Sequence, residues 1–302
     1  MRSRAIEFVD YALDTNAVRR LSAFSVEEWS STVHSFRGAN LTAAWIPWVI
    51  REVSATNLIR KELSPEGLQE LQLAARRHDV LCRGRVLPDA GDLIRQAFYQ
   101  LAERDDGPET AITSDGWTRD WLDRFLCLRD PSEVSSRDGD VKSVTLRRHA
   151  NDEPWTYEVP NGFIPAAKTS ASWLHDVHEE EPEITRLELA YKYFRGWVPF
   201  IAEHLDVPID VREQASDRHS LGDVAGTALG GGLIEGWYVA GRALGIASNI
   251  TENDSRDLAI GSYVQCVGTL VTEDKALRHV LRELLRDSGH VASFDEFMAG
   301  LD

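Results

Sequence analysis

Apolar positions along the chain follow two rhythms, and the chemistry of interest sits where short apolar runs stop. Near the start, Phe8 to Leu13 is a short, mostly apolar run ending in Asp14-Thr15-Asn16, the pattern of a buried parallel strand entering a turn. Ala17 to Leu21 reads as the opening of a helix, and Ser25-Val26-Glu27-Glu28 carries a helix-start signal. Trp45-Ile46-Pro47-Trp48-Val49-Ile50-Arg51-Glu52 leads into a second helical stretch that runs on to Lys61. After Ser64-Pro65-Glu66 a further helix is expected toward Arg77, with Pro65 at a tolerated first-turn position.

Beyond Pro88 the rhythm is mainly helical as far as about residue 220. Large apolar groups recur at helical spacing from Trp117 to Leu126 and again from Ile184 through Trp197 to Ile201. Between them, Val141 to Arg148 and Trp155 to Val159 alternate in strand fashion and predict a hairpin, while residues 130 to 140 read as an exposed loop. The glycine-rich apolar stretch from Val224 to Ile250 contains Glu235 and Arg242, both costly in lipid, so a tightly packed buried helix pair is expected rather than a membrane span.

The last part reads strand, helix, strand, helix. Asp257 opens an apolar helix-length stretch, Gly268 reads as its stop, and Thr269 to Thr272 forms a short strand followed directly by Asp274. A helix from about Ala276 to Arg286, a strand at His290-Val291-Ala292 and a helix from Phe294 to Leu301 complete the series. Such alternation predicts a parallel sheet with right-handed crossovers, and it places Asp14 and Asp274 at the carboxyl edge where open α/β sheets keep their sites.

Four acids, Asp14, Glu52, Asp257 and Asp274, therefore come from the two ends of the chain. Meeting in one pocket, they would repel one another unless a divalent cation neutralised them. Leu13-Asp14-Thr15-Asn16, Ile46-Pro47 with Glu52, Asn253-Asp254 with Asp257, and Leu270-Val271-Thr272-Glu273-Asp274 together resemble the PIN-domain nucleases, and His290 to Leu301 resembles the closing strand and helix of that fold. The resemblance covers roughly the first 60 and last 55 residues. It implies a Rossmann-like, three-layer α/β/α fold on a central parallel sheet, divided as 1–65 and 245–302, with a mainly helical insertion over 66–244. It also implies that Asp14, Glu52, Asp257 and Asp274 are metal ligands and catalytic acids holding Mg²⁺ or Mn²⁺. Asp254 competes with Asp257 for the third place, and Thr15, Asn16 and Thr272 are expected to orient carboxylates or phosphate.

The implied activity is hydrolysis of RNA by an endoribonuclease, and family analogy extends this to a bacterial toxin or defence effector. Two alternatives stay open: a DNA-directed nuclease, and a catalytically quiet scaffold that binds a protein partner such as an antitoxin. A homodimer is compatible with either. Any single acid also has a plainer reading as a helix cap or turn residue.

Composition changes this picture in two ways. The formal net charge of −16 argues against nucleic-acid binding through general basicity, so a local basic track is required. Arg51 and the pairs Arg19-Arg20, Arg60-Lys61 and Arg76-Arg77 are the candidates for it. The cysteines, Cys82, Cys127 and Cys266, are odd in number and widely scattered; with no apolar signal core after Arg2 and Arg4, a cytoplasmic protein with buried thiols is expected. His175, His178 and Glu179 to Glu181 are read as a solvated helix face rather than a metal site, Asp217, His219 and Asp223 as a polar cluster without a nucleophile, and most of the nine tryptophans as core.

Overall fold

The computed structural model describes residues 9–56, 64–108, 110–113, 116–137, 142–147, 154–159, 164–246, 260–284 and 291–301. Its strands are β1 (Val9–Leu13), β2 (Val134–Arg137), β3 (Lys142–Leu146), β4 (Trp155–Val159), β5 (Val267–Val271) and β6 (Val291–Ala292). They form two sheets within a mixed α/β, predominantly helical chain. One is parallel, in the order β1-β5-β6, and the other antiparallel, in the order β2-β3-β4.

The parallel sheet joins the two ends of the chain. β1 lies on β5 with Val9 opposite Val267 and Leu13 opposite Val271. Both strands bury their first and last two residues, so each is covered on both faces, as the apolar runs require. Gly268, expected to stop a helix, instead lies inside β5. A Cβ at that position would stand 2.9 Å from the Asp10 carbonyl oxygen, so glycine is what lets the two strands approach. The strand accordingly ends at Val271, and Thr272 lies just beyond it.

On its other side β1 is continued by single bridges rather than full strands. Tyr11 pairs with Ala43 and Trp45 with Val86, both parallel, and Val86 pairs with Thr113 in antiparallel sense. Val86 and Thr113 come from within the stretch read as an insertion. The last helix, Phe294–Ala299, opens with a capping box between Ser293 and Glu296 and seats Phe297 5.0 Å from the Tyr11 ring centroid. Helix Pro65–Cys82 packs against helix Thr15–Arg20, with Pro65 in its first turn as expected.

The expected hairpin forms between β3 and β4, with Val144 opposite Tyr157. The stretch 130–140 is corrected: its centre, Val134–Arg137, is a third strand paired to β3. Serines occupy two of its four positions, so the apolar alternation that marks a strand is missing there.

Among the described residues of the glycine-rich stretch, the expected helix pair is instead the end of the short helix Leu221–Ala225 and one long helix, Gly230–Ala243, buried along nearly its whole length. It packs on helix Arg186–His204 so closely that a Cβ on Gly236 would lie 2.5 Å from the Ala190 carbonyl oxygen. Among the described residues, no helix is long and apolar enough to cross a membrane.

Candidate functional site

Asp14 is placed by the sheet. Its backbone N–H donates to the carbonyl of Val271, the last residue of β5, at 2.9 Å, which carries the ladder one residue past β1. Its side chain then caps helix Thr15–Arg20, Oδ1 accepting from the Ala17 N–H at 2.7 Å. Oδ2 accepts a short bond from the Thr272 hydroxyl. The same hydroxyl accepts from the Asp274 N–H at 3.1 Å, so one threonine links the acids of two adjacent strand ends.

Asp274 in turn caps helix Lys275–Leu284, its Oδ1 accepting from the N–H groups of Ala276 and Leu277 at 2.8 and 2.9 Å. Glu52 approaches from the third side. It follows helix Pro47–Arg51 and opens a π-helical turn, Glu52–Thr56, a local irregularity that often marks functional positions. The Thr15 hydroxyl donates to its Oε2 at 2.5 Å.

Burial dominates the electrostatics. Asp14 is 4% exposed, and desolvation pushes its pKa from 3.8 up to about 6. The donors Thr272 and Ala17 pull the other way, while the nearby charges of Glu52 and Asp274 push it further up. A buried carboxylate with two acidic neighbours gains most from a nearby positive charge. Oxygen-only donors of this kind suit a hard divalent cation. Asp14 and Asp274 each retain acceptor capacity beyond the bonds named, since a carboxylate offers about four lone-pair sites. Among the described residues, no group of three or more His, Cys, Asp or Glu side chains is already gathered as a metal cage.

Of the residues read from the sequence, Asp14, Thr272 and Asp274 share one set of hydrogen bonds and Thr15 and Glu52 another, with the Glu52 charge acting on Asp14, while Asn16 faces solvent. Asp254 and Asp257 lie outside the described residues, as do Arg60 and Lys61.

The basic track is largely redirected to structure. Arg77 is buried and donates to the carbonyls of Leu21 and Phe24, and Arg76 donates to the Leu126 carbonyl. Arg20 pairs with Glu273 and Asp295 and lies over the Phe294 ring. Arg51 pairs with Asp89 at 3.3 Å. Sequence reasoning had no signal for these partners, because each is distant in the chain.

The remaining clusters are structural. His175 contacts the Ala243 carbonyl and Glu179 on an exposed helix face. Asp223 forms a capping box with Ser220, and His219 contacts the Leu101 carbonyl. Trp45 and Trp121 are core, whereas Trp117 and Trp173 are exposed. The expectation of buried thiols holds for Cys82 and Cys266 and is corrected at Cys127, which ends helix Trp117–Cys127 on its exposed side.

Two features were not anticipated. Glu235 is buried and accepts a short bond from the Tyr193 hydroxyl. An open cleft of about 410 Å³ lies beside Pro47 and Trp117. Compared with known proteins, the chain matches no family model, no curated protein and no solved structure.

Proposed function

We propose that this chain is a metal-dependent endoribonuclease, a hydrolase with a PIN-like three-layer fold, whose site is built on Asp14, Glu52 and Asp274. The observation that carries the reading is that Thr272 bonds the Asp14 carboxylate and the Asp274 backbone N–H, which brings two acidic residues 260 positions apart to the ends of adjacent parallel strands. The acids would hold Mg²⁺ or Mn²⁺, which when bound activates water and stabilises charge developing on a phosphate. Asp14 and Asp274 are the first choices as ligands, with Asp257 or Asp254 completing the set. Thr272 fixes the rotamer of Asp14, and Thr15 does the same for Glu52, so the carboxylates are oriented before substrate arrives. RNA is the substrate favoured by the family resemblance, and the use as a toxin or defence effector rests on that resemblance alone.

The second reading is a quiet scaffold for a protein partner. It is favoured by the fact that both Asp14 oxygens already accept internal hydrogen bonds, as a structural helix cap does.

Cleavage of single-stranded RNA, duplex RNA and DNA in Mn²⁺, Mg²⁺ or EDTA separates these readings. RNA cleavage that needs metal and falls by about a hundredfold or more in Asp14→Asn and in Asp274→Asn is expected. Cleavage persisting in both variants would remove the site assignment. Metal-dependent cutting of DNA alone would move the substrate class, and no cutting with an intact fold would favour the scaffold.

A further inference from the structure

The cleft beside Trp117 lies on the same edge of the sheet as the acids. β1, the Ala43–Trp45 segment and Val86 run parallel, so their carboxyl ends point one way: Asp14 follows the first, Pro47 the second and Pro88-Asp89 the third. Pro47, Pro88 and Asp89 all line the cleft. The link to the acids is also local, because Arg51 immediately precedes Glu52 and reaches Asp89 with its guanidinium, 5.9 Å from the Trp117 ring centroid. At about 410 Å³ the cleft falls within the range of small-ligand sites.

Its walls select a class of ligand. Trp117 stacks with Trp121 and with Trp155, at 5.5 and 6.2 Å between ring centroids, and remains 42% exposed. This makes it a rigid aromatic wall with surface left for a planar group. The polar lining holds the hydroxyls of Thr110, Thr113 and Thr118 and two carboxylates: Asp89, whose oxygens accept from the Gly91 N–H and from Arg51, and Asp92, whose Oδ1 accepts from Arg95 and which keeps lone pairs for a ligand. No Lys or Arg is among the described lining residues, so a phosphate does not belong there. A planar ring bearing N–H donors does.

Among nucleobases, guanine alone presents two neighbouring N–H donors, N1–H and N2–H₂, which match the two oxygens of one carboxylate. Adenine and cytosine offer one amino donor beside a ring acceptor, and uracil sets its single donor between two acceptors.

We propose that this cleft is a base-recognition subsite that takes an unpaired guanine of a single-stranded nucleic acid, packed against the exposed part of Trp117 and read by Asp92. The placement relative to the acids rests on the nuclease reading above; binding by the cleft does not. Arg51, through Asp89, would then hold the base pocket in register with Glu52.

The test uses the full chain in EDTA, with cleavage switched off, and a short single-stranded oligouridine carrying one guanosine, one inosine, one adenosine or none. The guanosine oligomer is expected to bind roughly tenfold tighter than the others, the magnitude of one bidentate base contact. Inosine, lacking the N2 amino group, loses most of that gain. Trp117→Ala abolishes the preference, Trp117→Phe keeps part of it, and Asp92→Asn reduces it while melting at the same temperature as the parent protein.

Equal affinity for all four oligomers overturns the proposal, as does a guanosine preference unchanged in both Trp117→Ala and Asp92→Asn. If the oligomers bind alike while an arginine-bearing peptide binds and is lost in both variants, the cleft belongs to a protein partner instead. Guanosine-selective binding without cleavage in any metal leaves the subsite standing and removes the nuclease reading. Cleavage without guanosine selectivity does the reverse.

Discussion

Replacing Thr272 by Val removes the hydroxyl that donates to Asp14 and accepts from the Asp274 N–H, and it keeps the shape of a fully buried side chain. Two polar groups lose a partner, one of them the buried Asp14 carboxylate, so a loss of about 1–3 kcal/mol is expected in urea unfolding. Thr272→Ser, which keeps the hydroxyl, should recover most of it. An unchanged urea midpoint in the Val variant would mean that the link is incidental. Glu235 offers a second test. Burial raises its pKa from 4.5 to about 7, against the opposing bonds from Tyr193 and Trp197. A carboxyl whose folded pKa lies above its unfolded value stabilises most when protonated. Its contribution is therefore fully present below about pH 4.5 and is lost as pH rises toward 7. Thermal melts of the parent protein and Glu235→Gln, compared from pH 4.5 to 7, should diverge, with the parent losing ground as pH rises. Parallel curves would show that Glu235 titrates normally. Asp14, Thr15, Glu52, Thr272 and Asp274 were visible in the sequence because each ends or follows a short apolar run. The partners of Arg20 and Arg77 were not, since nothing local distinguishes a guanidinium that meets a distant carbonyl from one in solvent.

Among the helices, glycine has opposite effects at two positions. Gly236 stands against the Ala190 backbone, where a Cβ would meet a carbonyl oxygen at 2.5 Å. Gly196, in the facing helix Arg186–His204, has nothing within 4 Å of the same added atom. Alanine is the better helix former by about 1 kcal/mol. Gly196→Ala is therefore expected to stabilise by roughly 0.5–1 kcal/mol. Gly236→Ala must push two helix backbones apart and is expected to cost about 1–3 kcal/mol. Chemical denaturation of the pair checks both signs, and a stabilising Gly236→Ala would mean the helices are free to separate. The sequence showed that the Val224 to Ile250 stretch packs tightly, because seven glycines in an apolar run leave few alternatives. It did not show β2, where serines replace the apolar beat, nor that Gly268 sits inside β5. A glycine beside a strand boundary reads the same whether it ends one element or lets two backbones touch.

For the whole molecule, β1 and β5 are partners that neither end of the chain can supply alone, and the Tyr11–Phe297 contact adds the last helix to the same unit. Peptides covering 9–13 and 267–271 should therefore open together in hydrogen exchange, with a common free energy. Separate opening would show that the ends form independent units. That the ends meet was legible from the alternation of strand and helix after Gly268 and from the lone strand before Asp14. The single bridges through Val86 and Thr113 were not, because one paired residue leaves no periodicity to read. The β1–β5 pairing also has a consequence in time. Asp14 is made before its partner Thr272, which follows 258 residues later. At about 5–20 residues per second that delay is roughly 13–50 seconds. Throughout it the nascent chain carries Asp14 and Glu52 but no β5 to seat them, so the linked acids do not exist while their own message is still being read. Ribosome-stalled chains ending before and after residue 271 would show this as a step in protease resistance of β1, and resistance in the shorter chain would contradict it.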